Sequence, residues 1–490
     1  MAVTQVVAHG EALTGGALPA SDRVGRIETH GIDFIAEGER HGRPRELFAV
    51  WAASNVTYLY IVIGGALTLL GLGVWQALAV LVAGNVFWAL VGLLAISGPA
   101  SGAPSEVVTR AMYGVRANRA YNAVLEWGIG VAYEAINLSI AALAAFALVD
   151  ELGAHAGTAT KVVIVLGAAM ASFTISVYGH ATIVRLSRWF TLALLVCCVV
   201  LAFYVLRRAD FSYMVPAGAA VHGAELWAAI SVGFTLIASA PLSWGTGADY
   251  SRYLPAHTSP RAVAVWTAIG GLCPALLLGA LGVLAGTVVD MTDPQTSLRA
   301  ILPGWFYPVL LLVIILGAVA NNVLTAYSTG LSLQAVGVRW KRSTTVIFDA
   351  VVAIGMTCYA LFVSNFLSTL NDILALSVAF LGPGLAVYGT DIVMRRNRYA
   401  DLRLHDETPR GPCWYQHGVN WAGVAALVIG SGAALLCVNT ALLVGPFSDA
   451  LSGADISALV GPAVAAVIYA TGTGYQRRRA RRSFRQAINA

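Results

Sequence analysis

The sequence predicts an all-α integral membrane protein with about twelve transmembrane helices. Its 490 residues are 58% hydrophobic and only 11% charged, and the mean hydropathy is +0.73. Soluble domains carry roughly 25% charged residues, so this chain has too few charges to cover a surface that faces water. This composition excludes a soluble enzyme, a disordered scaffold and a nucleic-acid-binding protein.

Twelve apolar runs are each long enough to cross a bilayer, which takes about 20 residues. The first 45 residues are polar and carry both signs of charge, so we expect the first run to be a membrane helix and not a signal peptide. We number the runs as spans 1 to 12 in chain order: 47–70, 74–97, 120–149, 161–179, 187–206, 226–247, 262–289, 305–336, 345–363, 366–390, 419–443 and 455–473.

Basic residues collect on one side of this arrangement. If both termini are cytoplasmic, 26 of the 30 Lys and Arg residues fall in cytoplasmic segments. Cytoplasmic loops of membrane proteins carry an excess of Lys and Arg. The distribution therefore predicts a multi-pass protein of the plasma (inner) membrane with both termini in the cytoplasm. The four basic residues left outside are Lys161, Arg207, Arg208 and Arg299.

This topology divides the chain into five parts. A cytoplasmic N-terminal segment, 1–45, precedes a ten-helix transport core, 46–393. A cytoplasmic loop, 394–418, leads to two peripheral helices, 419–473, and a basic cytoplasmic tail, 474–490. We expect the arginines of the tail to meet anionic lipid. The lipid bilayer is thus an expected partner, whereas neither a nucleic acid nor an obligate protein partner is predicted.

Two of the spans are predicted to be interrupted. Span 1 carries the polar string Ser54-Asn-Val-Thr57, and span 6 carries Pro241 followed by Gly245 and Gly247. Irregular backbone within a membrane is tolerated where it lines a cavity or is buried in protein. Transporters built from inverted repeats place such breaks at matching positions in their two halves. Because span 6 follows span 1 by five spans, we predict a 5+5 inverted repeat plus two C-terminal helices.

Four strings resemble the purine–cytosine permeases, a branch of the nucleobase–cation symport family. They are the entry segment 31–45, Trp51-Ala-Ala-Ser-Asn55 in span 1, Ala248-Asp-Tyr-Ser-Arg-Tyr-Leu-Pro255 after span 6, and Ala320-Asn-Asn322 with Tyr327-Ser-Thr-Gly-Leu-Ser332 in span 8. The third string is the most specific. Together they cover the chain from about residue 31 to residue 390.

The resemblance implies a leucine-transporter-like fold and secondary active uptake of a nucleobase, cytosine or a purine or both, by alternating access with a coupled cation. Permeases for allantoin, for hydantoin-like rings and for vitamin heterocycles are the alternatives. A polytopic membrane enzyme is more remote, because the nine histidines are scattered over predicted loops and helix ends. No Cys-x-x-Cys pair or phosphate-binding loop occurs, so no metal and no cofactor beyond a coupling ion, H+ or Na+, is expected.

A flat, uncharged ring with donors and acceptors on its edge needs an aromatic face and side-chain amides. In span 3, Glu126, Gly130, Tyr133 and Asn137 are spaced on one helical face. The resemblance implies that Tyr133 stacks on the base, and packing is the alternative for it. Further substrate-contact candidates that it implies are Asn137, Asn321, Asn322, Asn55, Ser239 and Trp244, with Ser243, Thr246 and Phe234 also near the break. An interhelical hydrogen bond is the alternative role for Asn321 and Asn322.

Two further sets of residues are expected to serve the transport cycle. Asp249, Arg252 and Tyr253 lie at the inner end of span 6, where we expect a cytoplasmic gate or a structural anchor, and Asp249 and Arg252 are spaced to pair. Glu134 lies near the middle of span 3. An ionised, unpaired carboxyl there costs several kcal/mol, which favours the protonated form and suits a proton carrier. A buried structural role is the alternative, and Asp349 and Asp372 are weaker rivals.

The side chains of span 8 bear on the identity of the coupling ion. In sodium-coupled relatives two hydroxyl residues precede the Asn position, whereas this chain has Leu316-Gly-Ala-Val319 there. Sodium is a hard cation that prefers several oxygen ligands, and this stretch offers none from its side chains, so a sodium site here would have to be built from backbone carbonyls. We therefore favour a proton over sodium as the coupling ion.

Overall fold

The computed structural model describes residues 23–489, apart from 214, 216–219, 293, 364–365 and 400. The described part is helical, with two isolated bridges as its β-structure. The twelve spans correspond to these helices: Glu46–Asn55 with Tyr58–Leu69, Val74–Ser101, Val115–Glu151, Thr158–Tyr178, His180–Arg208, Gly223–Leu242 with Gly247–Ser251, Pro260–Ala285, Tyr307–Val336, Arg342–Phe362, Phe366–Arg395, Trp421–Leu435 and Ser457–Asn489.

The predicted number of membrane helices is confirmed, with one short member. Within the described residues, 10 helices are long and apolar enough to cross a membrane, and the bent pair of span 1 makes 11. Span 11 is the exception, because its helix has 15 residues and ends at Leu435, short of the expected residue 443. Beyond this end the polypeptide turns, and the Asn439 amide donates to the carboxylate of Asp455 at 2.9 Å.

Both predicted helix breaks are present. Span 1 is interrupted at Val56 and Thr57, and its two halves meet at an angle of 57°. Span 6 is interrupted over residues 243–246. Pro241 lies in the last turn before this second break, where it lacks the N–H that would bond to the carbonyl four residues back. The polar and proline residues thus open the two helices where the sequence indicated.

Glycines let the helices around the breaks approach closely. A Cβ atom added at Gly317 in span 8 would lie 2.5 Å from the Val56 carbonyl oxygen, so span 8 packs directly against the break in span 1. Gly64 and Gly282 similarly bring span 1 against the backbone of span 7. Small residues at such contacts are typical of packed membrane helices.

Four polar segments meet at one end of the bundle, which we call the terminal face. Here Ile35 bonds to the Gly102 carbonyl at 2.9 Å and His41 to the Tyr253 carbonyl at 2.6 Å. His405 Nε2 lies 2.8 Å from the Ile32 carbonyl oxygen. The segment 23–45 therefore connects the loop after span 2, the end of span 6 and the loop after span 10.

Candidate substrate site

A cavity lies between the two helix breaks. Its empty space is about 790 Å³, including the part open at its mouth. Spans 1, 3, 6, 8 and 10 all contribute to its wall. The polar and aromatic lining residues are Asn55, Thr57, Tyr60, Glu126, Tyr133, Asn137, Ser243, Trp244, Thr246, Asn321, Thr325, Ser328, Thr329 and Ser332.

Most of the predicted substrate-contact residues meet at this cavity, and two do not. Ser239 is buried, and its hydroxyl donates to the Leu236 carbonyl at 2.7 Å. Asn322 is fully buried, and its Nδ2 donates to Ser172 Oγ of span 4 at 3.0 Å. The predicted candidates that line the cavity are Asn55, Tyr133, Asn137, Trp244 and Asn321.

The two amides that face each other across the cavity are bonded together. Asn137 Nδ2 of span 3 donates to Asn321 Oδ1 of span 8 at 2.9 Å. Asn321 Nδ2 in turn donates to the Ser54 carbonyl, at the end of the first half of span 1, at 2.8 Å. This chain of bonds ties three spans together and occupies both Asn321 groups. A base at this position would therefore exchange bonds with the amide pair.

The aromatic side chains of the cavity are held by neighbours. The Trp244 ring meets Trp51 edge-on, with centroids 5.2 Å apart and an interplanar angle of 83°. The Tyr133 hydroxyl lies 2.9 Å from Ser377 Oγ of span 10. The Asn55 amide is bonded to Tyr60 at 2.8 Å. Fixed rings of this kind offer flat apolar surface at low cost in conformational entropy.

The cavity also contains a carboxyl group to which the sequence analysis gave no role. Glu126 is half-buried, and the Tyr121 hydroxyl donates to its Oε1 at 2.6 Å. Residues Asn122–Gly128 form a π-helical turn within span 3, a rare irregularity that often marks a functional site. The sequence did indicate that Glu126 shares a helical face with Tyr133 and Asn137, and this pattern could have placed it at the cavity.

Glu134 lies behind the cavity wall. It is fully buried, the Thr329 hydroxyl donates to its Oε1, and its Oε2 has no partner among the described residues. Asp349 of span 9 interacts with it electrostatically and accepts a bond from Trp127 Nε1 at 2.7 Å. The side chain of Asp372 lies outside the described residues. Thr329 thus separates a buried pair of carboxyls from the cavity.

Asp249 and Arg252 each have a different partner from the one that their spacing suggested. Asp249 accepts from the Ser105 amide at 2.9 Å and from the Ser328 hydroxyl at 2.7 Å. Arg252 donates to the Gly31 carbonyl at 2.6 Å. Their expected mutual pair is replaced because Arg252 turns toward the N-terminal segment.

The partner that sequence analysis missed at this end is Glu28. Its carboxylate lies 3.4 Å from Arg252 and 3.7 Å from Arg342, with all three side chains at most 1% exposed. The hydroxyls of Tyr253 and Tyr327 donate to it as well, Tyr327 at 3.0 Å. Glu28 therefore links the end of span 6, the start of span 9 and Tyr327 of span 8 at the terminal face.

A broken-helix bundle around a central cavity defines a membrane transporter of the leucine-transporter-like fold. Residues 34–461 match the sequence model of a family described as permease for cytosine/purines, uracil, thiamine, allantoin. The chain belongs to this family, as the strings in its sequence suggested.

Individual relatives agree with this assignment. A putative purine-cytosine permease of Bacillus subtilis, YxlA, is 26% identical over 467 residues, which cover 91% of this chain and 95% of the relative. The structure of Mhp1, a nucleobase-cation-symport-1 family transporter in a closed conformation with bromovinylhydantoin bound, superposes with a TM-score of 0.72 at 18% identity and covers 94% of this chain and 96% of its own. The inward-facing conformation of Mhp1 gives 0.66 at 16% identity, with 92% and 96% covered.

Proposed function

We propose that this permease takes up a nucleobase, cytosine or a purine, together with a cation by alternating access across the plasma membrane, with both termini in the cytoplasm. The observation that carries the proposal is the cavity at the two helix breaks. It combines the fixed rings of Trp244 and Tyr133 with the amides of Asn137 and Asn321. These are the groups that a flat heterocycle with a polar edge requires.

The coupling ion that we propose is a proton, carried by Glu134. Two carboxyls close together in a low-dielectric interior repel each other when both are ionised, so the Glu134–Asp349 pair favours a state that retains a proton. The Thr329 hydroxyl lines the cavity and donates to Glu134, which gives the proton site a direct neighbour at the substrate site. At the position of the relatives' sodium site, Gly317 packs on the Val56 carbonyl.

At the terminal face we propose a cytoplasmic gate formed by Arg252, Tyr253 and Glu28. The gate would have to open when the site faces inward, because Glu28 holds spans 6, 8 and 9 together. Asp249 anchors the same end of span 6 to the loop after span 2.

Uptake by cells that lack nucleobase permeases tests the substrate. Initial uptake of labelled cytosine is measured against excess adenine, guanine, hypoxanthine, uracil, allantoin and thiamine. We expect saturable cytosine uptake that a purine inhibits. A hydantoin-like substrate is the second candidate, since the Mhp1 neighbour has bromovinylhydantoin bound. If cytosine uptake were absent and labelled allantoin were taken up instead, that candidate would be favoured.

A second experiment tests the proton. A protonophore should abolish cytosine accumulation by the wild type, whereas replacing sodium should not. Glu134→Gln should still bind and equilibrate cytosine but lose protonophore-sensitive accumulation. Glu151→Gln is the matched control at the end of the same span. Glu151 forms an ion pair with Arg299 at 2.9 Å and does not line the cavity. Full protonophore-sensitive accumulation by Glu134→Gln would overturn the assignment.

A further inference from the structure

The cavity contains one carboxyl group that the proposed stacking, amide and proton roles leave unused, that of Glu126. Tyr121 occupies Oε1 at 2.6 Å, and no described residue donates to Oε2. Glu126 is on the cavity wall and only half-buried. An acidic side chain inside a membrane protein is costly and typically faces a cavity that serves function.

The break in span 6 leaves this carboxyl uncovered. Gly245 lies directly beside it, since an added Cβ atom there would be 2.9 Å from Glu126 Oε1. The next residue, Thr246, also lines the cavity and is 7% exposed. Its hydroxyl has no partner among the described residues. An acceptor oxygen and a spare hydroxyl are therefore positioned together where span 6 is open.

The π-helical turn supports a binding role for the same group. Glu126 lies within the π-helical turn Asn122–Gly128, and its side chain faces the same space as Tyr133 and Asn137. All three line the cavity. The amide pair, in contrast, is internally bonded. Glu126 is therefore the strongest hydrogen-bond acceptor that an entering ring would find unoccupied.

We propose that Glu126 accepts a hydrogen bond from an exocyclic amino group of the substrate, so that the permease selects amino-bearing bases over their oxo counterparts. Cytosine and adenine present an N–H donor where uracil and hypoxanthine present a carbonyl oxygen, which would meet the carboxyl oxygen with like partial charge. This inference rests on the proposed function and names the substrate class of the same site.

The test is direct binding to the purified protein in lipid nanodiscs, by equilibrium dialysis of labelled cytosine with competing uracil, adenine and hypoxanthine. Loss of this hydrogen bond, with two acceptor oxygens left facing each other, supports a discrimination of about tenfold. We expect the wild type to bind cytosine over uracil, and adenine over hypoxanthine, by at least this factor. Glu126→Leu should remove the preference by weakening cytosine and adenine binding.

Glu126→Gln provides a second variant that preserves size. Its amide offers a donor as well as an acceptor, so uracil binding should strengthen relative to cytosine. Both readouts are ratios, which a change in the folded fraction does not move. Glu151→Gln should leave them unchanged. Base binding by the wild type with equal ratios in all variants would overturn this inference alone, whereas no base binding by the folded wild type would overturn the proposed function with it.

Discussion

Removal of the Glu28 carboxylate should release the N-terminal segment from the terminal face. Glu28 is buried between Arg252 and Arg342 at 3.4 and 3.7 Å. Removing one partner of a buried ion pair costs about 3–5 kcal/mol, because it leaves an uncompensated buried charge. At 1.4 kcal/mol per factor of ten, the opening equilibrium of the segment should shift roughly 100- to 4,000-fold. Glu28→Ala should have the larger effect, and Glu28→Gln a smaller one because its carbonyl still accepts.

Hydrogen exchange measured by mass spectrometry on protein in nanodiscs reports this opening. The amides of Ile35 and His41 bond to carbonyls of the bundle at 2.9 and 2.6 Å, so they exchange when the segment detaches. Their exchange should accelerate in both Glu28 variants, together with amides at the end of span 6. Glu37→Gln is the control in the same segment, because the Glu37 side chain is 55% exposed and exposed ion pairs contribute little.

The ion-pair argument makes a refutable claim about these amides. If their exchange in Glu28→Ala matched the wild type in protein that retains its helices, the two arginines would not depend on Glu28. The segment would then be held by its backbone bonds alone. An equal acceleration in Glu37→Gln would also contradict the reasoning, since it would show a general sensitivity of the segment.

Three further predictions concern single contacts. Asn322→Ala should lower the stability of the purified protein by about 1–3 kcal/mol without weakening cytosine binding. Asn321→Ala should weaken cytosine binding. The same loss of cytosine binding in both variants would contradict this prediction. Gly317→Ala places a Cβ 2.5 Å from a carbonyl oxygen and should cost about 1–3 kcal/mol in a thermal-unfolding assay, while Gly167→Ala, with open space around it, should not. Burial lowers the pKa of His405 in the folded protein, so the unfolded state binds more protons. The free energy of unfolding should therefore fall as the pH drops below about 6.5. His405→Gln should flatten this dependence between pH 8 and 5.

The fold could be predicted because its determinants are local. Apolar runs of bilayer length give the helices, and Pro241 and the polar string around Asn55 give the breaks. The predicted end of span 11 was too late, since the run from Leu435 to Val444 is apolar apart from Asn439 and Thr440. The helix ends at Leu435, and the polypeptide beyond it turns so that the Asn439 amide donates to the Asp455 carboxylate. Hydropathy does not report a tertiary bond of this kind.

The sequence predicted which residues share a helical face, but not which of them contact the cavity. Helical periodicity grouped Tyr133 with Asn137 correctly, yet adjacent residues such as Asn321 and Asn322 point about 100° apart. Only the packing of spans 4 and 8 determines which of them reaches the cavity. Glu28 was missed because it lies in a polar segment without periodicity. Its role arises where three spans that are distant in the sequence meet.

Span 8 gives the proposed coupling a physical path, since three of its hydroxyls each line the cavity and each donate to a buried carboxyl. Ser328 donates to Asp249 at 2.7 Å, Thr329 to Glu134 and Ser332 to Glu106 at 3.3 Å. A substrate that bonds to any of these hydroxyls competes directly with the carboxyl behind it. Because a carboxylate depends on such donors more than a neutral carboxyl does, we expect occupancy of the cavity and protonation of the buried groups to be linked. The linkage passes through one turn of one helix and requires no change of fold.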